Sequence, residues 1–210
     1  MIEKKVYLFD LDGTLIDTMD GFADIAGRVI TDYHPEISFI EARRKYLETS
    51  GVPFFRQLEI IIPGCPTNSE KAAIFEETKK GVFFNISFSD DVRKTITTLR
   101  ERGYIAGISS NNYQHLINQL IEREGLKFDI VLGFMEGFEK GRDHFDYVIN
   151  KYNINKEELI FIGDSLKDAE KAIYNGISFI GLCNIFNPKD FLKLDRTIIT
   201  IKKITELLNL

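Results

Sequence analysis

The segment Asp10-Leu11-Asp12-Gly13-Thr14 follows directly on the apolar run Val6-Tyr7-Leu8-Phe9. Side chains alternate along an extended chain, so two carboxylates two residues apart at a strand end are directed to one side. Like charges placed that way call for a cation or a shared proton, which suggests metal binding or acid-base chemistry. Gly13 permits a sharp backbone turn at that point. Asp-Gly after an apolar run also signals a hairpin. Against that stand Phe22, Ile25, Ala26, Val29 and Ile30, which recur with helical rather than strand spacing.

Further chemistry-bearing residues lie far along the chain. Asp164 follows Phe161-Ile162-Gly163 and would add a third carboxylate, giving a hard-oxygen site suited to Mg2+. Ser165-Leu166-Lys167-Asp168 has the form of a capping box. Asp168 can therefore serve as a cap, as a support for a metal-bound water, or as both. Ser110 and Asn111 follow an apolar run, where the hydroxyl and the amides of a first helical turn can hold an anion; Ser109 could take that place instead. Lys140 lies in the polar segment Glu136-Gly137-Phe138-Glu139-Lys140-Gly141.

The elements that must position these residues are readable from periodicity. After the first strand, helical patterns cover about Thr18 to Tyr33, Ser38 to Thr49, Phe54 to Ile62 and Ser69 to Phe83. Ser38 with Glu41, and Thr67 with Glu70, have capping spacing. A helical insertion of roughly seventy residues is too long for a loop and implies a small domain with its own apolar faces. From Ser89 onward helices alternate with strands at Tyr104 to Ile108, Ile130 to Leu132, Leu159 to Ile162 and Ile177 to Ile180. The expected fold class is α/β, a Rossmann-like parallel sheet covered by helices on both faces, with an inserted all-α cap. The expected division is core over 1–16, cap over 17–86 and core again over 87–210. Such sheets bind ligands beyond the carboxyl ends of their strands, where the polar residues above fall.

Composition narrows the partners. Of 210 residues 44% are hydrophobic and 28% charged, with a net charge of -5 and no long basic run, so neither nucleic acid nor an anionic membrane is an expected partner. The cluster Arg43-Arg44-Lys45 has acidic neighbours at Glu41 and Glu48 and reads as a solvated helix face. No apolar segment suggests a signal or a span, so a cytoplasmic location is expected. Cys65 and Cys183 lack any metal-ligand or C-x-x-C spacing and read as reduced thiols. His34, His115 and His144 have no zinc-helix spacing and read as surface or partly buried structural residues.

Taken in order, the DxDGT segment at Asp10 to Thr14, Ser110-Asn111, Lys140, and Gly163-Asp164-Ser165 with Asp168 resemble the four motifs of the haloacid dehalogenase superfamily. The closer resemblance is to its phosphatase branch with a helical cap after the first motif, and it covers nearly the whole chain. Dehalogenases of that superfamily usually lack the second aspartate, so Asp12 favours phosphoryl transfer. The resemblance implies Asp10 as a nucleophile forming an aspartyl-phosphate and Asp12 as the general acid and base. It implies Mg2+ on Asp10, Asp164 and the backbone carbonyl of Asp12, with Asp168 behind them. Phosphate oxygens would fall to Gly13, Thr14, Ser110, Asn111 and Lys140.

The implied substrate is a small phosphorylated metabolite: phosphoglycolate-like, a sugar phosphate or a nucleotide monophosphate. A sugar-phosphate mutase and a non-catalytic regulator on the same scaffold are the rival readings, and the assembly is expected to be a monomer or homodimer. Lys140-Gly141-Arg142 departs from the Lys-Pro common in phosphoglycolate phosphatases, which loosens assignment to one activity. In the cap, Ser50 to Arg56 reads as a substrate-facing loop, with Arg56 as the candidate for an anionic leaving group. Hinges are expected near Asp17-Thr18 and over Asn85 to Ser89.

Overall fold

The computed structural model describes residues 5–210. The chain divides into two compact units, one made of Met1–Ile16 with Ser87–Leu210, the other of Asp17–Ile86.

The first unit is built on strands β1 (Val6–Phe9), β2 (Ile105–Tyr113), β3 (Ile130–Phe134), β4 (Leu159–Gly163), β5 (Ser178–Leu182) and β6 (Ile199–Ile201). They form one six-stranded sheet in the order β3-β2-β1-β4-β5-β6, with every neighbouring pair parallel. Five helices pack on it: α5 (Asp90–Glu101), α6 (Gln114–Glu124), α7 (Arg142–Tyr152), α8 (Leu166–Asn175) and α9 (Pro188–Leu194). The strands are near-continuous apolar runs because both faces are covered. Val6, Leu8, Leu159 and Phe161 pack with Phe145 and Val148 of α7 and Ala169 and Ala172 of α8. The residues of opposite parity, Phe9, Ile108, Ile160 and Ile162, are buried as well.

Strand order reverses at β1, which is flanked by β2 and β4. Register carries the ends of these strands to one level: Phe9 faces Ile108 on one side and Ile162 on the other. Asp10, one step beyond Phe9, still donates its N–H to the Ile162 carbonyl at 2.8 Å. A crevice outside strand ends at such a reversal is where open α/β sheets bind ligands.

Two expectations change here. The second strand runs on to Tyr113 and α6 opens only at Gln114, so Asn111 belongs to an extended segment and not to a first helical turn. Pairing of β2 with β3 explains it: Ser109 faces Leu132 and Tyr113 faces Phe134, four steps on β2 against two on β3. The surplus residues bulge out of the ladder at Ser110-Asn111-Asn112, a device that re-aims side chains beside functional sites. The sequence reading also stopped before α9 and β6, whose short apolar stretch Ile199–Ile201 has only one fully buried residue, Ile201.

The second unit contains α1 (Met19–Tyr33), α2 (Phe39–Glu48), α3 (Phe54–Ile61) and α4 (Asn68–Asn85). Its core joins Phe22, Ala26 and Ile30 with Tyr46, Phe54, Leu58 and Phe75, the rings of Phe54 and Phe75 lying 4.1 Å apart between centroids. Gly27 has room for no side chain: a Cβ there would meet the Phe39 ring at 2.7 Å, so α1 and α2 approach closely at that turn. Ser38 caps α2 by accepting the Glu41 N–H at 3.2 Å. Thr67 does not cap α4 with its side chain, contrary to the spacing argument. No helix among the described residues is long and apolar enough to cross a membrane.

Candidate active site

Asp10, Asp164 and Asp168 bring their carboxylates together, with one oxygen of each within 4.8 Å of the others, and all three are buried. Each arrives by a local rule. Asp10 continues the hydrogen-bonding line of β1 into the reversal. Asp164 follows the last residue of β4. Asp168 is fixed by the first turn of α8, where Ser165 Oγ accepts the Asp168 N–H at 3.1 Å and donates to Asp168 Oδ2 at 2.7 Å. Asp168 thus takes part in the cap of α8 and lies within the acidic cluster. Gly163 makes the approach possible, because a Cβ there would lie 2.9 Å from Asp168 Oδ2.

Lys140 supplies the cation. Its Nζ lies 2.7 Å from Asp10 Oδ1 and 2.8 Å from Asp168 Oδ1, with the side chain 3% exposed. Burial works against the ammonium, but the two carboxylates outweigh it and hold Lys140 above its ordinary range, so it stays charged. Three carboxylates against one ammonium leave an excess of negative charge. Burial, outweighing the pull of Lys140, and the neighbouring Asp168 and Asp12 push the Asp10 carboxyl up to about 7. Burial and the charges of Asp10 and Asp168 push Asp164 well up too. Asp164 Oδ2 is fully buried and has no hydrogen-bond partner. An orphaned carboxylate oxygen in an over-negative, oxygen-only cluster fits a hard divalent cation.

The DxDGT segment is tightly folded. Gly13, at φ 78°, donates its N–H to the Ile16 carbonyl at 2.8 Å, a left-handed turn that a side chain would strain. Thr14 Oγ1 points to Asp10 Oδ2 at 3.4 Å. Asp12 is directed away from the acidic cluster: Asn112 Nδ2 donates to its Oδ2 at 2.6 Å. The third carboxylate gathered with Asp10 and Asp164 is therefore that of Asp168, where alternation suggested Asp12. Only β1 itself is regular strand, so alternation ends where the turn begins.

The bulge in β2 separates its two serines. Ser109 Oγ meets His144 Nδ1 at 2.8 Å, whereas Ser110 Oγ accepts the Asn112 N–H at 3.0 Å. Both hydroxyls are buried. His144, expected at or near the surface, is fully buried on α7, and burial together with the Lys140 charge pushes it down to about 3, a neutral ring. Asn112 and the Ser109–His144 pair were not singled out from sequence. Asn112 becomes visible only through the bulge, and the burial of His144 only through its pairing with Ser109 on β2. Arg56 lies in the second unit in the first turn of α3, exposed, with its guanidinium 5.5 Å from the centre of the Phe55 ring. The helix expected from Phe54 is present, with Pro53 at its N-cap, so of the expected loop Ser50 to Arg56 the residues from Phe54 on are helical.

Comparison with known proteins agrees with this geometry. The chain is 24% identical over 196 residues to a phosphoglycolate phosphatase of Vibrio cholerae, covering 87% of this chain and 86% of the relative. It is 24% identical over 214 residues to the pyrophosphatase PpaX of Anoxybacillus flavithermus, covering 97% and 94%. A crystal structure of a haloacid dehalogenase-like family hydrolase from Streptococcus pneumoniae superposes with a TM-score of 0.81 at 18% identity, over 100% of this chain and 99% of the other, which establishes shared fold. The sequence pattern of the haloacid dehalogenase-like hydrolases matches residues 7–182. A match over so much of its length, on a parallel sheet whose strand ends gather the acids, makes this chain a member of the haloacid dehalogenase-like hydrolase family.

Proposed function

We propose that this protein is a Mg2+-dependent phosphatase that hydrolyses a small phosphorylated metabolite through an aspartyl-phosphate on Asp10. The observation that carries the reading is the Asp10 carboxylate, buried at a strand reversal, held through one oxygen by Lys140 and set beside the orphaned oxygen of Asp164. Lys140 fixes the orientation of Asp10 and offsets part of its charge, so the carboxylate is aimed without a large change in shape. Its attack on phosphorus splits the hydrolysis into formation and breakdown of an acyl phosphate. Asp12, oriented by Asn112, gives a proton to the leaving oxygen and then takes one from the attacking water.

Ser110 and Lys140 hold the phosphoryl oxygens, while the turn through Gly13 and Thr14, closed by its own hydrogen bonds, shapes the backbone around them. Asn111 presents its amide from the bulge instead of from a helix terminus. Mg2+ would be held by Asp10, Asp164 and the backbone carbonyl of Asp12, with Asp168 and Lys140 behind them. When bound it supplies neutralisation of the charge that otherwise repels a phosphate from Asp10.

The helical unit is the cap of this scheme, excluding water and selecting the leaving group. The relatives are named for phosphoglycolate and pyrophosphate chemistry. Both substrates carry a second anionic group beyond the transferred phosphoryl, and Arg56 is the cation proposed to meet it. Phosphate release from a panel of phosphoglycolate, pyrophosphate, sugar phosphates and nucleotide monophosphates tests the proposal. Mg2+-dependent turnover of at least one member is expected, and it should vanish in Asp10→Asn with the circular dichroism unchanged. Near-normal turnover by Asp10→Asn would overturn it.

A further inference from the structure

A second cluster of titratable groups lies wholly within the helical unit and takes no part in the proposed phosphatase chemistry. Lys71, on α4, is 0% exposed. Its ammonium contacts Thr67 Oγ1 at 2.8 Å, His34 Nε2 at 3.2 Å and Cys65 Sγ at 3.3 Å, and lies 5.2 Å from the centre of the Tyr33 ring. Three N–H donors thus meet three acceptors. None of the three is a carboxylate. The acids around the cluster are engaged elsewhere: Glu36 with His34 Nδ1 at 3.0 Å, Glu59 with Asn68 Nδ2 at 2.7 Å and the Gly64 N–H at 3.0 Å, and Glu70 with the Tyr33 hydroxyl at 2.7 Å.

A buried ammonium needs a counter-charge. Glu59 acts on Lys71 only through space, and among the three groups within hydrogen-bond reach of the ammonium the sulfur of Cys65 alone can become an anion. Proton counting leads to the same place. Glu36 accepts from His34 Nδ1, which puts the ring proton there and leaves Nε2 as the acceptor for Lys71. Thr67 Oγ1 accepts from Lys71, so its own hydroxyl proton is free to point at Cys65 Sγ, 3.3 Å away. A thiol proton on Cys65 would have only His34 Nε2, at 3.6 Å, to go to, and Lys71 already occupies that lone pair. The network closes with sulfur as an acceptor alone. This arrangement also explains why Thr67 fails to cap α4, since its hydroxyl is turned to Lys71 and Cys65.

We propose that Cys65 is a resident thiolate, ion-paired with the buried Lys71 ammonium, and that it is a modification site of this protein, nucleophilic toward hydroperoxides. Cys65 is partly exposed and not disulfide-bonded, so a small electrophile can reach it. The thiolate sulfur attacks one peroxide oxygen, an S–O bond forms as the O–O bond breaks, and the second oxygen leaves as hydroxide. That hydroxide takes the sulfenic proton, so thiolate and hydrogen peroxide give sulfenate and water, with sulfur oxidised and peroxide reduced by two electrons. The sulfenate inherits the Lys71 charge.

The experiment compares the two cysteines of one molecule. The rate of iodoacetamide modification at Cys65 and Cys183 is followed against pH by peptide mass spectrometry in wild type and Lys71→Met. In wild type the Cys65 rate should reach half its maximum near pH 6, where the hydrogen bonds from Thr67 and Lys71 place the thiol. Cys183 should lag, because burial raises it. In Lys71→Met the Cys65 midpoint should move toward that of a free thiol, about 8.5, and its rate near pH 6 should fall by about tenfold, after allowance for the greater intrinsic nucleophilicity of the more basic thiolate. If Lys71→Met does not fold, the ultraviolet thiolate absorbance of wild type minus Cys65→Ser at neutral pH decides the same point without touching Lys71. Hydrogen peroxide followed by dimedone should label Cys65 in preference to Cys183. A Cys65 midpoint at the free-thiol value, no thiolate absorbance in the difference spectrum, an unmoved midpoint in folded Lys71→Met, or no dimedone adduct at Cys65 would each overturn the proposal.

Discussion

Replacing Lys140 by Met removes the single cation from a buried group of three carboxylates while keeping much of the side-chain volume. In wild type the ammonium touches both Asp10 and Asp168, at 2.7 and 2.8 Å. Breaking a buried pair usually costs about 3–5 kcal/mol because the remaining charge is uncompensated. Here the cluster has an escape, since one more carboxylate can take up a proton. Holding a proton at about pH 7 on a group whose unfolded pKa is about 3.9 costs about 4 kcal/mol, and at about pH 5 only about 1.5 kcal/mol. Those figures bound the loss in metal-free protein.

The sign follows from linkage. A carboxyl whose folded pKa is raised binds more protons folded than unfolded, so its stabilising effect is present in acid and is lost as pH rises toward the folded value. Asp10, pushed up to about 7, already behaves this way in wild type. Lys140→Met should add about one proton to that uptake, steepening the decline by about 1.4 kcal/mol per pH unit between about pH 5 and 7. Urea unfolding in excess chelator at three pH values measures both profiles, and their divergence is the quantity of interest. Parallel profiles, with a constant offset or none, would show that Lys140 does not carry the charge balance of the site.

The same balance makes divalent metal binding proton-coupled: calorimetry in buffers of different ionisation heat should show proton release on Mg2+ binding below about pH 7 and affinity rising with pH up to that point, and pH-independent binding would contradict it. Gly163→Ala should push the Asp168 carboxylate out of place, given the 2.9 Å approach to Oδ2, and so lower phosphatase kcat by roughly tenfold or more while raising KM little; wild-type kcat would mean the contact is not rigid. Asn112→Ala should lower phosphatase kcat by roughly tenfold with the circular dichroism unchanged, because it frees the Asp12 carboxylate to turn, and wild-type kcat would assign Asn112 to the fold alone. Arg56→Ala should lower kcat/KM for the best anionic metabolite by about tenfold, the scale of a charge-assisted contact, and affect a small ester with a neutral leaving group much less; equal behaviour on both substrates would return Arg56 to an ordinary surface role.

Much of this was legible in the sequence for a simple reason. Parallel strands covered on both faces must be apolar throughout, so each one stands out as a short run ending abruptly in polar residues, and those endings are the site. Asp10 and Asp164 could be placed at strand ends from that rule alone, and Ser165 with Asp168 from capping spacing. The bulge at Ser110-Asn111-Asn112 could not, because a surplus of two residues is defined only against the partner strand β3. Hence Asn111 was read as a helix terminus and Asn112, which holds Asp12, was passed over. His144 is hidden differently: its burial on α7 depends on Ser109 of β2, a long-range pairing that periodicity does not report. β6 was missed because it is short and half exposed, with little hydrophobic signal of its own.

One physical rule, applied twice with opposite sign, accounts for the two polar clusters. At the strand ends three buried carboxylates face a single ammonium, and the orphaned oxygen of Asp164 marks where positive charge is wanting. In the helical unit a buried ammonium touches no carboxylate, Glu59 acting on it only through space, and the sulfur of Cys65 is the atom among its hydrogen-bond partners able to supply negative charge. Burial makes both imbalances expensive, so neither can be dismissed as surface decoration. The first imbalance can be relieved by a proton or by a divalent cation, which ties metal affinity to pH. The second can be relieved by ionising a thiol, which ties the chemistry of Cys65 to Lys71. Thr67 shows the difference between spacing and energy most plainly. Its position suits a helix cap worth about 1 kcal/mol, yet its hydroxyl is turned to the buried charge, where an unsatisfied donor would cost more than a lost cap.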